Sequence, residues 1–451
     1  MSSFKDSVAL FWWELRFYGG AVGYLRILWW YAALKIWYLL FPHRLPAVEK
    51  ITLPPKKSRR ILLVTSDNGA GSGAFRCAVA LAKTLRESNG YEVIVVIPCH
   101  ESGDFLLREA HVPFVCVPSC EWIVKIGADL KKLSFKIAAK WVRNHRAVLA
   151  LIRMIHDLDV DLVHSNTTWT YVGLKAARCS HIPSVFHFRE MIKEGQGSKI
   201  LNEPMGFSLM AEASARIAIS NVVRGKYLAQ LAGVPIERVY DGVDLARFYR
   251  PSHQIFKDGR ISFVFVGGYQ QQKGHDVFCR ACVELWRKGV RNFTVLFVGG
   301  RVEEHCRHYF EAAGMISAVT FCGMQSEPVR FTEKADVAFV CSRAEGFGLV
   351  TVEAMLAGCL VIGADRAGTS ELIRHGETGL LFQMSDDLEH GDLVRQIEQA
   401  LANPEASRRM AAAGRDYMYK NMSLERNADG VARIYEEVLG LSGKFYSSDS
   451  R

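Results

Sequence analysis

The sequence predicts two doubly wound α/β domains in tandem, preceded by an aromatic-rich helical segment. Three observations carry this. From Ile61 onward, short β-branched apolar runs alternate with helically spaced stretches. The alternation pauses over 235–260, where Pro235, Asp241, Gly242, Pro251 and Gly259 gather, and then restarts. Residues 1–60 follow neither pattern. A chain of 451 residues is too long for one ordinary core. With 49% hydrophobic and 23% charged residues it has a globular balance that excludes a disordered chain.

Residues 8–41 hold Trp12, Trp13, Trp29, Trp30 and Trp37, five of the nine tryptophans. No basic start followed by a short apolar run and a small-residue cleavage site marks a secretory signal. Arg16, Arg26 and Lys35 interrupt every window long enough to span a bilayer. Aromatic and basic residues mixed in an apolar stretch suit the membrane interface. A tilted span and packing against the following domain remain open. The expected division is a membrane-associating helical segment over 1–45 and a basic linker over 46–60. Arg44, Lys56, Lys57, Arg59 and Arg60 in and before that linker are read as attractive to anionic lipid and cytoplasmic in orientation.

ILLVTSD, from Ile61, reads as a buried strand, FRCAVALAKTLRES as a helix and YEVIVVIP as a second strand, which is a β-α-β unit. PFVCVP, DLVHS, SVFHF and RIAIS continue the series. After the pause come ISFVFVGG, TVLFVGG, VTFCG, VAFVCS, CLVIGA and GLLF. Alternation of this kind implies parallel sheets covered on both faces. Domains are expected over 61–250 and 251–422, with a helix over 423–445 returning to the first. Such a pair faces a cleft at the carboxyl ends of its strands, where open parallel sheets bind ligands.

The net charge of +9 calls for an anionic partner. Without zinc-finger spacing or an RNA-binding aromatic signature, nucleic acid is not expected. The 11 cysteines are scattered, mostly in apolar runs, and read as reduced thiols; Cys279 and Cys282 form a C-x-x-C inside a helical pattern and read as core.

The loop DNGAGSGA after the first strand invites an anion, with Gly71 and Gly73 permitting close backbone approach. Gly69, Gly71 and Ala74 fit a dinucleotide fingerprint, but VIVVIP does not end in the acidic residue a nicotinamide ribose requires. HDLDVD, from His156 to Asp161, has the D-x-D spacing of some metal sites yet reads as a turn before a strand, so no metal is expected.

The most informative stretch runs from Val337 to Phe382. A strand ends near Ser342, Glu345 lies in the next loop, and a helix starts close to Gly348 with Glu353 inside it. Free N–H groups at that helix start suit a diphosphate. The run E-G-F-G-L-V-T-V-E, followed by GTSELI and HGETGLLF, resembles the E-x7-E signature of retaining GT-B glycosyltransferases, the group 1 glycosyl transferase family. More loosely, the resemblance extends from Ile61 to about Leu439, leaving the first sixty residues outside it. It implies a GT-B fold of two Rossmann-like domains, an acceptor domain before a nucleotide-sugar domain, and retention at the anomeric carbon without an obligatory metal or cofactor. Glu345 would contact donor-sugar hydroxyls and Glu353 the ribose. The N–H groups of Phe347, Gly348 and Leu349 would meet the diphosphate, with Gly346 and Gly348 allowing close approach.

In FVFVGGYQQQKGHDVF, Gly267, Lys273 and Gly274 match the family's glycine-lysine loop. Gly268, however, stands where the family usually has an arginine. Lys273 would neutralise the leaving diphosphate, and Arg343 or Arg189 could substitute for the missing charge. His187, near the end of SVFHF, resembles the family's active-site histidine; Arg189 and Glu190 are weaker acceptor contacts, and His164 reads as framework. The implied partners are a nucleotide-sugar donor, a glycan or lipid-linked acceptor and a membrane surface met through residues 1–60. The setting is the cytoplasmic face of the inner membrane in bacterial surface polysaccharide synthesis. A GT-B sugar-nucleotide epimerase and a non-catalytic GT-B partner protein are the alternatives.

Overall fold

The computed structural model describes residues 4–41, 47–257, 259–384 and 390–440. Arg44 of the basic stretch and residues 441–445 of the expected terminal helix lie outside the described residues. The chain forms two compact units. The first runs to Ile219 and takes in Val223–Tyr240 and the chain from Asn427 onward; the second comprises Ser220–Val222 and Asp241–Arg426.

Strands of the first unit are β1 (Arg60–Val64), β2 (Glu92–Ile97), β3 (Phe114–Cys116), β4 (Ile123–Lys125), β5 (Leu162–Ser165), β6 (Ser184–Phe188), β7 (Ser198–Ile200), β8 (Ala215–Ala218) and β9 (Glu237–Arg238). Seven form a parallel sheet in the order β3-β2-β1-β5-β6-β8-β9. Helices cover both faces, which is why every residue of β1, β5 and β6 is buried and the strands read as unbroken apolar runs. The helix Leu424–Val438 is one of these covers. It places Ala428, Val431, Ile434 and Tyr435 in one core with Ile61, Leu63, Phe75 and Val95. The antiparallel ribbon β4–β7 has no counterpart in the sequence reading, because three-residue strands leave too short a pattern.

The second unit has β10 (Ile261–Val266), β11 (Phe293–Val298), β12 (Val319–Phe321), β13 (Val337–Val340), β14 (Leu360–Ala364) and β15 (Leu380–Phe382). They make a six-stranded parallel sheet in the order β12-β11-β10-β13-β14-β15. Phe263, Phe278, Phe297 and Phe339 interlock in its core, with Cys279 and Cys282 fully buried beside them. In each sheet the order reverses once, between β1 and β5 and between β10 and β13. Loops leaving the carboxyl ends of such neighbouring strands diverge and open a crevice within their own sheet.

Ahead of the first sheet stand two helices, α1 (Phe4–Val22) and α2 (Tyr24–Leu40), joined at Gly23, whose φ of +106° only glycine adopts readily. No helix among the described residues is long and apolar enough to cross a membrane. The pair packs by one face onto its own domain. Leu10, Phe17, Tyr18, Ile27 and Tyr31 are buried, and the Tyr31 ring stacks on Trp141 at 3.9 Å. Glu14, wholly buried, accepts hydrogen bonds from Trp141 Nε1 at 3.0 Å and Tyr171 Oη at 3.2 Å, and lies 2.6 Å from His145 Nδ1. The opposite face leaves Trp12, Leu25, Trp29, Ile36, Leu39 and Leu40 between 54% and 86% exposed.

Three cations of the linker region are engaged within the domain instead of standing free for lipid. Lys56 and Arg59 pair with Asp161, Lys56 also with Asp159, and Arg60 with Glu92. Two of the D-x-D carboxylates are thereby occupied, and Asp159 sits in a turn at φ +51°.

Candidate active site

The second unit gathers its candidate residues on the loops that leave β10 and β13, the two strands flanking its reversal of order. After β10 the backbone turns through Gly267 at φ +145° and forms a short 3-10 turn, Gln271–Lys273. Gly274, at φ +70°, then starts the helix His275–Arg287. A Cβ on Gly274 would stand 1.9 Å from the carbonyl oxygen of Cys341, the residue just after β13, so only glycine lets the two loops close on each other.

That contact brings Lys273 to Glu345: the ammonium donates to Glu345 Oε2 at 2.7 Å. Ser342 Oγ lies 3.3 Å from the same oxygen, and the Glu345 carbonyl accepts from Gly368 N at 2.9 Å. Beyond Glu345 the chain passes Gly346 and the buried Phe347 to Gly348, at φ +106°, which opens the helix Leu349–Leu356. Glu353 is half-buried within that helix. A lysine, a carboxylate and a glycine-led helix start thus lie along two adjoining loops of one sheet, with a second carboxylate inside the helix that follows. Such a set can neutralise a diphosphate and accept hydrogen bonds from hydroxyls.

Arg343, a candidate to replace the family arginine, is committed elsewhere. Its guanidinium donates to both Asp276 oxygens, at 3.0 and 2.9 Å, and to the Gln271 carbonyl at 2.8 Å. Burial works against the Asp276 charge, but the hydrogen bonds and charge of Arg343 outweigh it and hold this carboxyl below its ordinary range. Arg343 therefore braces the Lys273 turn. At Gly268 an added Cβ would meet nothing nearer than the Gly300 oxygen at 3.5 Å, so the backbone itself would accept a side chain there.

In the first unit, the loop after β1 is organised by Asp67 and Ser72. Ser72 Oγ donates to Asp67 at 2.9 Å and accepts from Phe75 N at 3.3 Å, capping the helix Gly73–Glu87. A Cβ at Gly71 would meet nothing within 4 Å, so packing does not require glycine there. Gly71 and Gly73 belong to this unit, whereas Gly267, Lys273 and Glu345 belong to the other.

His187, next to last in β6, is fully buried. Its Nδ1 lies 3.3 Å from His164 Nε2, and His164 Nδ1 lies 2.6 Å from the Tyr435 hydroxyl. With the tyrosine hydroxyl as donor, the chain of bonds puts the His187 proton on Nε2, a buried atom with no hydrogen-bond partner among the described residues. Burial, reinforced by Arg189 and His164, holds His187 well below the usual histidine range; burial and Arg189 hold His164 at about 3. Both rings are therefore neutral hydrogen-bonding groups near pH 7.

Arg189 donates to Asn166 Oδ1 at 3.3 Å. Glu190 accepts from the Thr168 amide at 3.2 Å and hydroxyl at 2.5 Å, and burial pushes its carboxyl up to about 7. Asp67 is also raised by burial. Sequence reasoning passed over Tyr435, Ser342, Asp276 and Thr351, whose buried hydroxyl, beside Gly348, has no hydrogen-bond partner among the described residues. Tyr435 carries no local signal, since it sits 271 residues from its histidine. Asp276 and Thr351 lie inside motifs already singled out.

Known proteins resemble both halves. Residues 71–247 match the family model Glycosyltransferase Family 4, and residues 247–417 match Glycosyl transferases group 1. Over 222 residues, 46% of this chain and 61% of the relative, the identity to the lipopolysaccharide core biosynthesis mannosyltransferase LpcC of Rhizobium leguminosarum is 29%. It is also 29% over 267 residues to the D-inositol 3-phosphate glycosyltransferase of Rhodococcus erythropolis, covering 55% of this chain and 59% of that one. The chain spans about three fifths of the length of the curated relatives it matches first (61%, 59% and 58%). Among solved structures, Anabaena HepE in complex with UDP and glucose superposes with a TM-score of 0.69 at 20% identity, covering 84% of this chain and all of that one. At that identity the likeness concerns the fold, which is the GT-B fold.

Proposed function

Because this chain belongs to the glycosyl transferases of group 1, with a family 4 first half, we propose that it moves a sugar from a nucleotide-sugar donor to a glycan or lipid-linked acceptor. The observation that carries this reading is the Lys273–Glu345 pair beside the Gly348 helix start. Lys273 and the N–H groups of Phe347, Gly348 and Leu349 receive the diphosphate and stabilise it as it leaves. Glu345 then turns to hydroxyls of the donor sugar, and Glu353 holds the ribose. His187 offers a neutral N–H to the sugar or acceptor.

We take the transfer to be retaining, by same-face displacement in which the leaving diphosphate helps deprotonate the acceptor, and to need no metal or cofactor. The lipopolysaccharide role in the name of LpcC favours a bacterial surface polysaccharide. The exposed tryptophan and leucine face of α1 and α2 favours work at the cytoplasmic membrane surface.

The test is thermal stabilisation by a panel of UDP-, GDP- and dTDP-sugars, with manganese and with a chelator. A ligand that binds only the native state raises the melting temperature. One donor should do so irrespective of metal, and Glu353→Ala should abolish the shift. A folded wild-type protein that responds to no donor would rule the reading out.

A further inference from the structure

Between α1 and the helix Val172–Cys179 of the first unit lies a cavity of about 780 Å³, lined among others by Trp12, Trp13, Arg16, Lys175, Arg178 and His181. Its charge is one-sided. Arg178 pairs with Glu212, and the nearby Glu14 is committed to Trp141, Tyr171 and His145 on the inner face of α1. Arg16 is exposed and no carboxylate among the described residues pairs with it. Lys175 is only 4% exposed, yet no hydrogen-bond acceptor among the described residues takes its ammonium, which stands 4.5 Å over the Trp13 ring. An ammonium on a buried side chain, set over an aromatic face and with Glu14 and Glu212 acting on it only through space, is stabilised less than one hydrogen-bonded to an anion. Burial accordingly pulls its proton affinity down. The apolar side of the same cavity is continuous with Trp12, which is 54% exposed.

We propose that this cavity binds the phosphate of an anionic phospholipid, with Arg16 and Lys175 on the phosphate and the tryptophan face against the glycerol and acyl portion. Two cations without carboxylate partners match a phosphodiester, and the flanking indoles match an amphiphile in preference to a free ion. This deepens the membrane reading above by naming the lipid class and the residues that select it; it does not depend on the donor site.

The full chain is titrated calorimetrically with monomeric dihexanoyl phosphatidylglycerol, with dihexanoyl phosphatidylcholine and with inorganic phosphate. Saturable binding of the phosphatidylglycerol is expected, about 10-fold or more weaker in Arg16→Gln and in Lys175→Met, as for loss of one charge-assisted contact. Arg16 is exposed, so its variant folds even if Lys175→Met does not. Equal affinity in Arg16→Gln, equal affinity for the choline lipid, inorganic phosphate binding as tightly, or no binding by the wild-type protein would each overturn the proposal. Donor-induced thermal stabilisation, measured alongside, is expected to be unchanged in Arg16→Gln, so failure here is distinguishable from failure of the transferase reading. Binding of wild-type and Arg16→Gln protein to pure phosphatidylcholine vesicles reads the α1–α2 face separately, and equal binding there is expected.

Discussion

Gly274 and Gly71 look alike in the sequence, each in a small-residue loop after a strand, but they differ physically. Gly274 combines φ +70° with a forbidden approach to the Cys341 carbonyl, so Gly274→Ala should lower stability by at least about 2 kcal/mol. Gly71→Ala, in open space, should leave the denaturant midpoint unchanged. Equal midpoints for the two variants would contradict this account. Glu190 carries a second residue-scale expectation. Its carboxyl is raised from 4.5 to about 7, so the folded state keeps a proton that the unfolded state releases earlier. The associated stability is fully present below about pH 4.5 and is lost as pH rises through about 7. Glu190→Gln lacks this loss. Its melting temperature relative to wild type should therefore climb between pH 5 and pH 8, whereas parallel profiles would show that Glu190 does not titrate there.

At the scale of elements, α1 and α2 act as a cover for the helix Ser134–Asp157 rather than as a detachable anchor. The fastening point is Glu14, a buried carboxylate shared by Trp141, Tyr171 and His145. Removing it leaves the Trp141 indole N–H without its acceptor and takes a partner from His145 and from Tyr171, which keeps, among the described residues, only the Tyr18 hydroxyl at 3.2 Å. Glu14→Ala should cost about 3 kcal/mol and open the Gly23 connection to limited proteolysis before the rest of the chain is cut. A digestion pattern identical to wild type would show that the aromatic contacts suffice. This dual use was hard to read from the sequence. A helix with apolar residues on all sides fits a core or a membrane interface equally well. Only the partner surface, Trp122, Trp141 and Tyr171, decides which face is buried.

For the whole molecule, the first unit is built from segments far apart in sequence, and its core includes residues from Asn427 onward. A chain ending at Arg426 would lose Val431, Ile434 and Tyr435 from that core and the hydroxyl that holds His164. Trp286 is the one tryptophan in the second unit; the other eight lie in the first. Tryptophan emission therefore reports almost entirely on the first unit. It should shift to the red in the truncated chain, and unchanged emission would mean that the terminal helix is dispensable.

The amino-acid sequence by itself determined the two parallel sheets, the places where their strands end, the loops that bear Lys273 and Glu345 and the helix that bears Glu353. Buried parallel strands must be apolar along their length, and close turns must be glycine-rich, so both leave local marks. Tertiary structure alone decided which loops meet. The Lys273–Glu345 ion pair, the diversion of Arg343 to Asp276 and the Tyr435–His164–His187 chain join residues 72, 67 and up to 271 positions apart. It also decided that Lys56 and Arg59 serve Asp161 and that Lys175 is buried with no carboxylate hydrogen-bonded to it among the described residues. No local periodicity encodes such pairings, because they depend on which strands the folded sheet places side by side.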